Sequence, residues 1–415
     1  MRLIHARAAA ALSIALLLAA CDAGPRAAEA SIPASPRVAW SAPRAADALA
    51  AVLGRTAHHE LADALVDGDG VLHALFASDV DGDGHPDALY HATLHGDAWS
   101  APEPLAGMGL ADGARMAMDG DGALHVLWYA HSGAIAARDV PTELVERVMA
   151  GGRWSAPRVL YREPSRFGMN VRWLAAAADP AGDVRVLFAP QGRGLGSLSL
   201  RGEKAGAPRF LDHDGNMMEF SVSAGRAPLD MAYIGEMVSP QRRRAINDVF
   251  VRSLDGEGWS GKTEAWYGPE RYSHYPQLVV DGRGERHLFW LEDTDGTVQP
   301  EALYAATSPD GRKWSPPRDL TPPELRGGVL FRVSAAIAAD GTIHLLLRRS
   351  DPDGGRMALY YLAVRDGRAG PAQALAAPGE LGQGEGRLVR DASGHRIVAL
   401  WRGADGVYRT AMLAE

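Results

Sequence analysis

Cysteine is all but absent from this 415-residue chain: the single copy is Cys21, so no disulfide can form within it. Positive charge is in the minority, with 43 Lys and Arg against 51 Asp and Glu and a net charge of −8. That balance excludes the basic stripe a nucleic-acid binder needs. No apolar run after the first two dozen residues approaches the roughly 20 residues that cross a bilayer as a helix. What the sequence does have is turn residues. Its 47 Gly and 26 Pro suit many tight connections between short strands.

The cysteine's position explains it. Arg2 and Arg7 precede an apolar stretch, Ala8 to Leu18, which is followed by Leu18-Ala19-Ala20-Cys21. A positive end, an apolar core and small residues before a cut describe an export signal. The Leu-Ala-Ala-Cys ending resembles a bacterial lipobox. That implies cleavage after residue 20 and diacylation (with palmitate-type chains) of Cys21. Asp22 resembles a signal for retention at the inner membrane. The expected address is the bacterial cell envelope, lipid-anchored on the periplasmic side of the inner membrane or on the outer membrane. Residues 21–36, with Pro25, Pro33 and Pro36, read as the lipidated cysteine and a flexible tether.

From residue 37 onward two signatures alternate. The first is an Asp-Gly-type turn followed by a short apolar strand, recurring at intervals of roughly 45 to 60 residues. Its clearest copies begin at Asp67, Asp119, Asp281 and Asp340, with weaker ones at Asp179, near Ser223 and at Asp391. The second is Trp-Ser-x-Pro, at Trp40, Trp99, Trp154 and Trp314, with a partial copy at Trp259 and Trp-less copies near Ala207 and Gly370. A strand-built repeat of this period predicts an all-β, seven-bladed β-propeller of four-stranded antiparallel blades, with six blades the runner-up. Each unit reads as inner strand A, turn, strand B, loop, strand C, turn and outer strand D. The last blade ends before its D strand, and Val38–Pro43 is a D strand with no blade. The N-terminal strand is therefore expected to complete the last blade, closing the ring and removing an exposed edge.

Thr307-Ser308-Pro309-Asp310-Gly311-Arg312-Lys313-Trp314 resembles an Asp-box turn, one residue shorter than usual, and Leu254–Trp259 resembles a degenerate second. With the repeated strands, residues 37–415 resemble the sialidase-like, BNR-repeat propellers. The resemblance implies a fold and leaves function open. The arginine triad and the Phe/Tyr-Arg-Ile-Pro motif of sialidases have no full counterpart here, since Ser35-Pro36-Arg37-Val38 stands where the motif belongs.

One loop invites a metal. Asp79-Val80-Asp81-Gly82-Asp83-Gly84-His85-Pro86-Asp87 spaces carboxylates at positions 1, 3, 5 and 9 of a glycine-rich loop. A hard cation such as Ca²⁺ takes several oxygens at such spacing. The loop resembles the FG-GAP calcium loops of integrin propellers, so Asp79, Asp81, Asp83 and Asp87 are expected to hold a structural calcium ion. The fifth blade repeats the loop as Asp293–Glu301, with Thr297 and Val298 replacing a ligand and a glycine.

His73, His125, His287 and His344 share one register in strand B, and such ring-repeated residues read as packing. The asymmetric residues near the starts of the A strands are better candidates. Those taken to bind substrate are His59, Arg115, Arg172, Glu219, Tyr275, Arg332 and Arg387, because converging guanidinium forks pair with carboxylate or sulfate. The stretch Trp266–Gln277 adds aromatic rings that stack on sugar faces. Tyr272, His274 and His131 are the candidate catalytic groups. The expected function is a lipid-anchored envelope propeller binding an acidic glycan or a protein partner. The alternatives are a sialidase-like exo-glycosidase and a propeller-type uronate polysaccharide lyase. A lyase would use an arginine to neutralise the carboxylate and a His or Tyr to take the proton α to it.

Overall fold

The computed structural model describes residues 39–413 apart from 54–57, 81–85, 107–112, 131–141, 165–168, 191–193, 212–216, 224–228, 238–245, 257, 269–270, 383, 385 and 392. The expected signal sequence, Cys21 and the expected tether lie outside the described residues. The unit Arg37–Glu415 forms seven antiparallel sheets arranged as a β-propeller, as the alternating signatures predict.

The seven inner (A) strands, in blade order, are His58–Val66, Arg115–Met118, Met169–Ala178, Met217–Val222, Tyr272–Val280, Val329–Ile337 and Arg387–Arg390. Each is followed by strands B and C in simple meander order. The outer strand is short and in most blades broken in two. In the first blade Ala98–Trp99 and Glu103–Ala106 both pair with Ala88–His95. In the first, second, third and sixth blades a proline (Pro102, Pro157, Pro208, Pro371) stands between the pieces and cannot donate to the ladder.

Ring closure follows the same broken pattern. Trp40 bridges to Leu413, and Arg44–Ala45 then pairs with Tyr408–Met412. The closing strand therefore runs past the expected end at Pro43. Behind it comes the helix Asp47–Leu53, an element the strand repeat does not announce. It sets Leu49 and Leu53 against Leu61, Phe76 and Tyr408, between the last and first blades.

Each pair of neighbouring blades shares an apolar cluster. Ile234 and Val249 of the fourth blade pack on Leu278 and Trp290 of the fifth, and Phe289 and Leu291 of the fifth pack on Val333 and Leu345 of the sixth. Burying a Leu- or Phe-sized side chain contributes roughly 1.5–3 kcal/mol, so these interfaces supply the main cohesion of the ring.

The Asp-x-x-Gly-x-x-His repeat has a structural explanation. Asp119 Oδ1 accepts the backbone N–H groups of Asp121 (2.9 Å) and Ala123 (2.8 Å), while Oδ2 faces His125 Nε2 at 3.2 Å. Asp67 repeats this with His73, and Asp179 does so with Arg185 in the histidine's place. The glycine takes the left-handed conformation the turn requires, with φ +80° at Gly122. In the sixth blade the register corrects the sequence alignment. The glycine of this turn is Gly341 and the turn starts at Ala338, so Asp340 sits two residues later and caps Thr342 instead.

Candidate functional site

The A strands surround a central cavity of about 560 Å³ that all seven blades line. The repeated histidines sit where strand B begins, at the end of the ring opposite the A-strand starts. His73, His125 and His344 are buried, and each ring is held, His73 by Asp67 and His91, His125 by Asp119 and Glu146, and His344 by Tyr361. His73 and His125 tie turns to strands, and His344 ties strand B to strand C.

At the other end, the A strands of the fourth, fifth and sixth blades each carry a bulge near their start. At these bulges Glu219, Tyr275 and Arg332 all adopt φ +50°. Left-handed backbone is uncommon for residues other than glycine and costs on the order of 1 kcal/mol or more each. Three consecutive blades thus hold three chemically different side chains in the same unfavourable conformation, and all three line the cavity. Packing alone does not ask for that, since glycine would satisfy the backbone.

The three side chains form one assembly. Glu219 Oε2 accepts the backbone N–H of Tyr275 across the gap between the fourth and fifth blades. Its other oxygen lies 3.6 Å from His274 Nδ1, while His274 Nε2 is buried with no hydrogen-bond partner among the described residues. The Arg332 guanidinium stands over the Tyr275 ring, 4.8 Å from its centre, in cation–π contact.

Across the mouth, Arg115 and Arg387 converge from the second and seventh blades. Each donates to the carbonyl oxygen of Ala62, at 3.1 Å. Ala62 stands where the first blade's A strand shifts register, which turns its carbonyl toward both. Arg115 also donates to the carbonyl oxygen of Ala114 at 2.7 Å, so both guanidinium groups are held at the cavity wall, where cationic forks suit an anion. Asp63 beside them is occupied by the backbone N–H groups of Met116 (2.8 Å) and Ala64 (3.0 Å).

Of the sequence candidates, Arg115, Glu219, Tyr275, Arg332 and Arg387 therefore come together around the cavity. His274 lines a neighbouring groove and reaches them through Glu219. His59 is buried and does not line the cavity, and its carbonyl accepts from Arg402 at 3.2 Å. Tyr272 lies opposite Asp293 at the strand start, away from the cavity wall. His131 and the Arg172 side chain lie outside the described residues. The sequence reading missed Trp173 and Asp63 in the cavity wall, and neither carries a motif that marks it.

Behind the cluster sits Glu292, fully buried, accepting from Ser273 Oγ (2.7 Å), Trp290 Nε1 (2.8 Å) and Trp266 Nε1 (3.1 Å). Burial pushes its carboxyl above the usual range, and these donors only partly offset it. It anchors Ser273, the residue before His274, to the aromatic stretch at Trp266.

Of the metal-loop residues, Asp81 and Asp83 lie outside the described residues. Asp79 is buried at the end of its strand, and Asp87 Oδ1 accepts the Val80 N–H at 3.1 Å. In the fifth-blade copy, Asp293 accepts from the N–H groups of Asp295, Gly296, Thr297 and Val298. Backbone donors there occupy the carboxylate. The first-blade loop, with two further aspartates, has the all-oxygen donor set that suits calcium.

No family model matches the sequence, and no curated protein matches it. Among solved structures the chain is similar to an ulvan lyase of a new polysaccharide lyase family, PL25. The TM-score is 0.56 at 13% identity, over 85% of this chain and 94% of that one. A PL25 ulvan lyase bound to -[GlcA(1-4)Rha3S]- gives 0.56 at 14% identity over the same shares. A protein of unknown function from Dyadobacter fermentans DSM 18053 gives 0.54 at 12% identity, over 92% of this chain and 100% of that one. At such identities the likeness is one of fold.

Proposed function

We propose that this protein engages an acidic polysaccharide at the channel mouth. The observation that carries the reading is the set of strained, chemically distinct residues Glu219, Tyr275 and Arg332 at one position on three successive blades. Arg332, with Arg115 and Arg387 across the opening, receives the carboxylate. Tyr275 offers a ring to the sugar face, and Glu219 accepts from hydroxyls. That propellers of similar fold include an enzyme acting on a glucuronate-containing polymer is consistent with this assignment. The reading places the protein in the envelope through a diacylated Cys21. It also includes a structural calcium ion held by Asp79, Asp81, Asp83 and Asp87.

A specific observation favours a second reading, uronate β-elimination. His274 Nδ1 lies 3.6 Å from Glu219, and its buried Nε2 has no hydrogen-bond partner among the described residues. A carboxylate beside an imidazole favours its acting as a base. In this reading Arg332 neutralises the uronate carboxylate, the His274 ring turns Nε2 to the substrate and takes the proton at C5, and the C4–O bond breaks to leave a C4–C5 double bond while water protonates the departing oxygen. A two-carboxylate glycosidase is disfavoured, since Asp63, an acid of the cavity wall, is engaged by backbone donors.

Weighing the products after incubation with polyuronates separates these readings. Unsaturated fragments without added water mean a lyase, and intact polymer with measurable affinity means a binder. Fragments heavier by one water mean a hydrolase and contradict both assignments.

A further inference from the structure

Beside the mouth, between the fifth and sixth blades, lies a groove of about 270 Å³. Tyr275 lines both it and the central cavity, so the two are neighbours across that residue. The groove differs in character. Its walls include Val298, Pro300 and Phe331, with Gln299 and Asp353 as the polar groups and His274 at the back.

Val298 is the informative residue. It stands where the first-blade loop has a glycine, and its backbone is left-handed, with φ +69°. A β-branched residue in that conformation is a genuine outlier. Asp293 holds it there, accepting the Val298 N–H at 2.7 Å while the same carboxylate gathers three other N–H groups of the loop. The result is a branched apolar side chain 55% exposed at the groove's edge. Neither the loop nor the core gains from that placement. A ligand would.

We propose that this groove is a second saccharide subsite, taking the uncharged sugar next to the acidic one in a polymer that alternates the two. The inference rests on the acidic-glycan reading of the mouth and deepens it. Val298, Pro300 and Phe331 form a surface for the C–H face of a pyranose, and the Gln299 amide offers hydrogen bonds to hydroxyls. The exposed carboxylate of Asp353 on the same edge repels a second uronate. The nearby cation Arg349 is engaged elsewhere, donating to the carbonyls of Leu325 and Arg326. Charge selection therefore reverses on passing Tyr275, positive at the channel and negative at the groove.

The test is affinity of the full-length protein for two oligosaccharides of equal length, one alternating glucuronate with a neutral hexose and one a homopolyuronate. The alternating ligand is expected to bind at least about tenfold more tightly. Val298→Gly should weaken it about five- to tenfold, leave the homopolyuronate unchanged, and raise Tm because glycine relieves the strain. Val298→Asn, which tolerates the left-handed backbone without loosening the loop, should weaken the alternating ligand likewise. Asp353→Ala should improve the homopolyuronate. Equal affinity for both ligands, with both Val298 variants indifferent, overturns the subsite and leaves the mouth assignment standing. Binding of neither ligand by the unaltered protein overturns both.

Discussion

Glu219 accepts the backbone N–H of Tyr275 from the neighbouring blade, and both residues hold left-handed backbone to make that contact. The bond crosses a blade interface at the rim, above the apolar cluster that the fourth and fifth blades share. It fixes the Tyr275 ring under Arg332 and leaves the second carboxylate oxygen for His274.

Glu219→Ala is expected to destabilise the propeller by about 1 kcal/mol, since it strands a partly buried N–H and frees His274. Glu219→Gln should keep the hydrogen bond to Tyr275 and recover most of that loss. Urea denaturation of both variants checks the claim, and equal stability of Ala and Gln would contradict it.

Two histidines make stability depend on pH. Burial lowers His91 to about 4, helped by His73, and burial likewise lowers His344 to about 4. Both are neutral in the folded state at pH values where the unfolded chain already binds protons. Their contribution is complete above about pH 6.5 and is lost as pH falls toward 4, on the order of 1–3 kcal/mol for each. Denaturation midpoints at pH 7, 6 and 5 should fall in that order. A constant midpoint contradicts the assignment.

Calcium is expected to raise Tm. At a hundredfold excess over its dissociation constant, a ligand confined to the folded state adds about 2.7 kcal/mol. Chelation should reverse the gain, and Asp81→Asn with Asp83→Asn should abolish it. The fifth-blade Asp295→Asn variant should keep the full response, because backbone donors occupy Asp293 in that loop. An unmoved Tm would remove the metal from the account.

Cys21→Ser should abolish diacylation and shift the protein from the membrane to the soluble fraction. Intact-mass measurement of the membrane-extracted protein gives the independent readout. Membrane association unchanged by the substitution would contradict lipid anchoring at this residue.

The architecture was legible because most blades carry a turn aspartate or a Trp-Ser pair at a regular interval, even though the fourth and sixth lack the aspartate and the third and sixth lack the Trp. Asp119 shows why the turn signal is reliable: one carboxylate caps two N–H groups and faces His125, so the spacing is set by geometry. The site was legible only in part. Arg115, Arg332 and Arg387 stand out as unrepeated charges at strand starts, whereas nothing in the letters marks the left-handed backbone at Glu219, Tyr275 or Arg332. Glycine would have flagged such a position, and these residues conceal it. Val298 was visible as a lost glycine in a repeated loop, but only its exposure at the groove edge gives that loss a meaning. The helix Asp47–Leu53 escaped because it belongs to no repeat.

The central claim is that acidic glycans are held at the mouth through Arg332, and calorimetric titration of a uronate oligosaccharide into the unaltered protein and Arg332→Ala tests it most directly. The account predicts saturable binding that weakens with salt, falls at least about tenfold in Arg332→Ala, and is partly restored in Arg332→Lys, since a bidentate charged pair is lost and a point charge returned. Undiminished affinity in Arg332→Ala, or equal affinity for a neutral oligosaccharide of the same length, would contradict it.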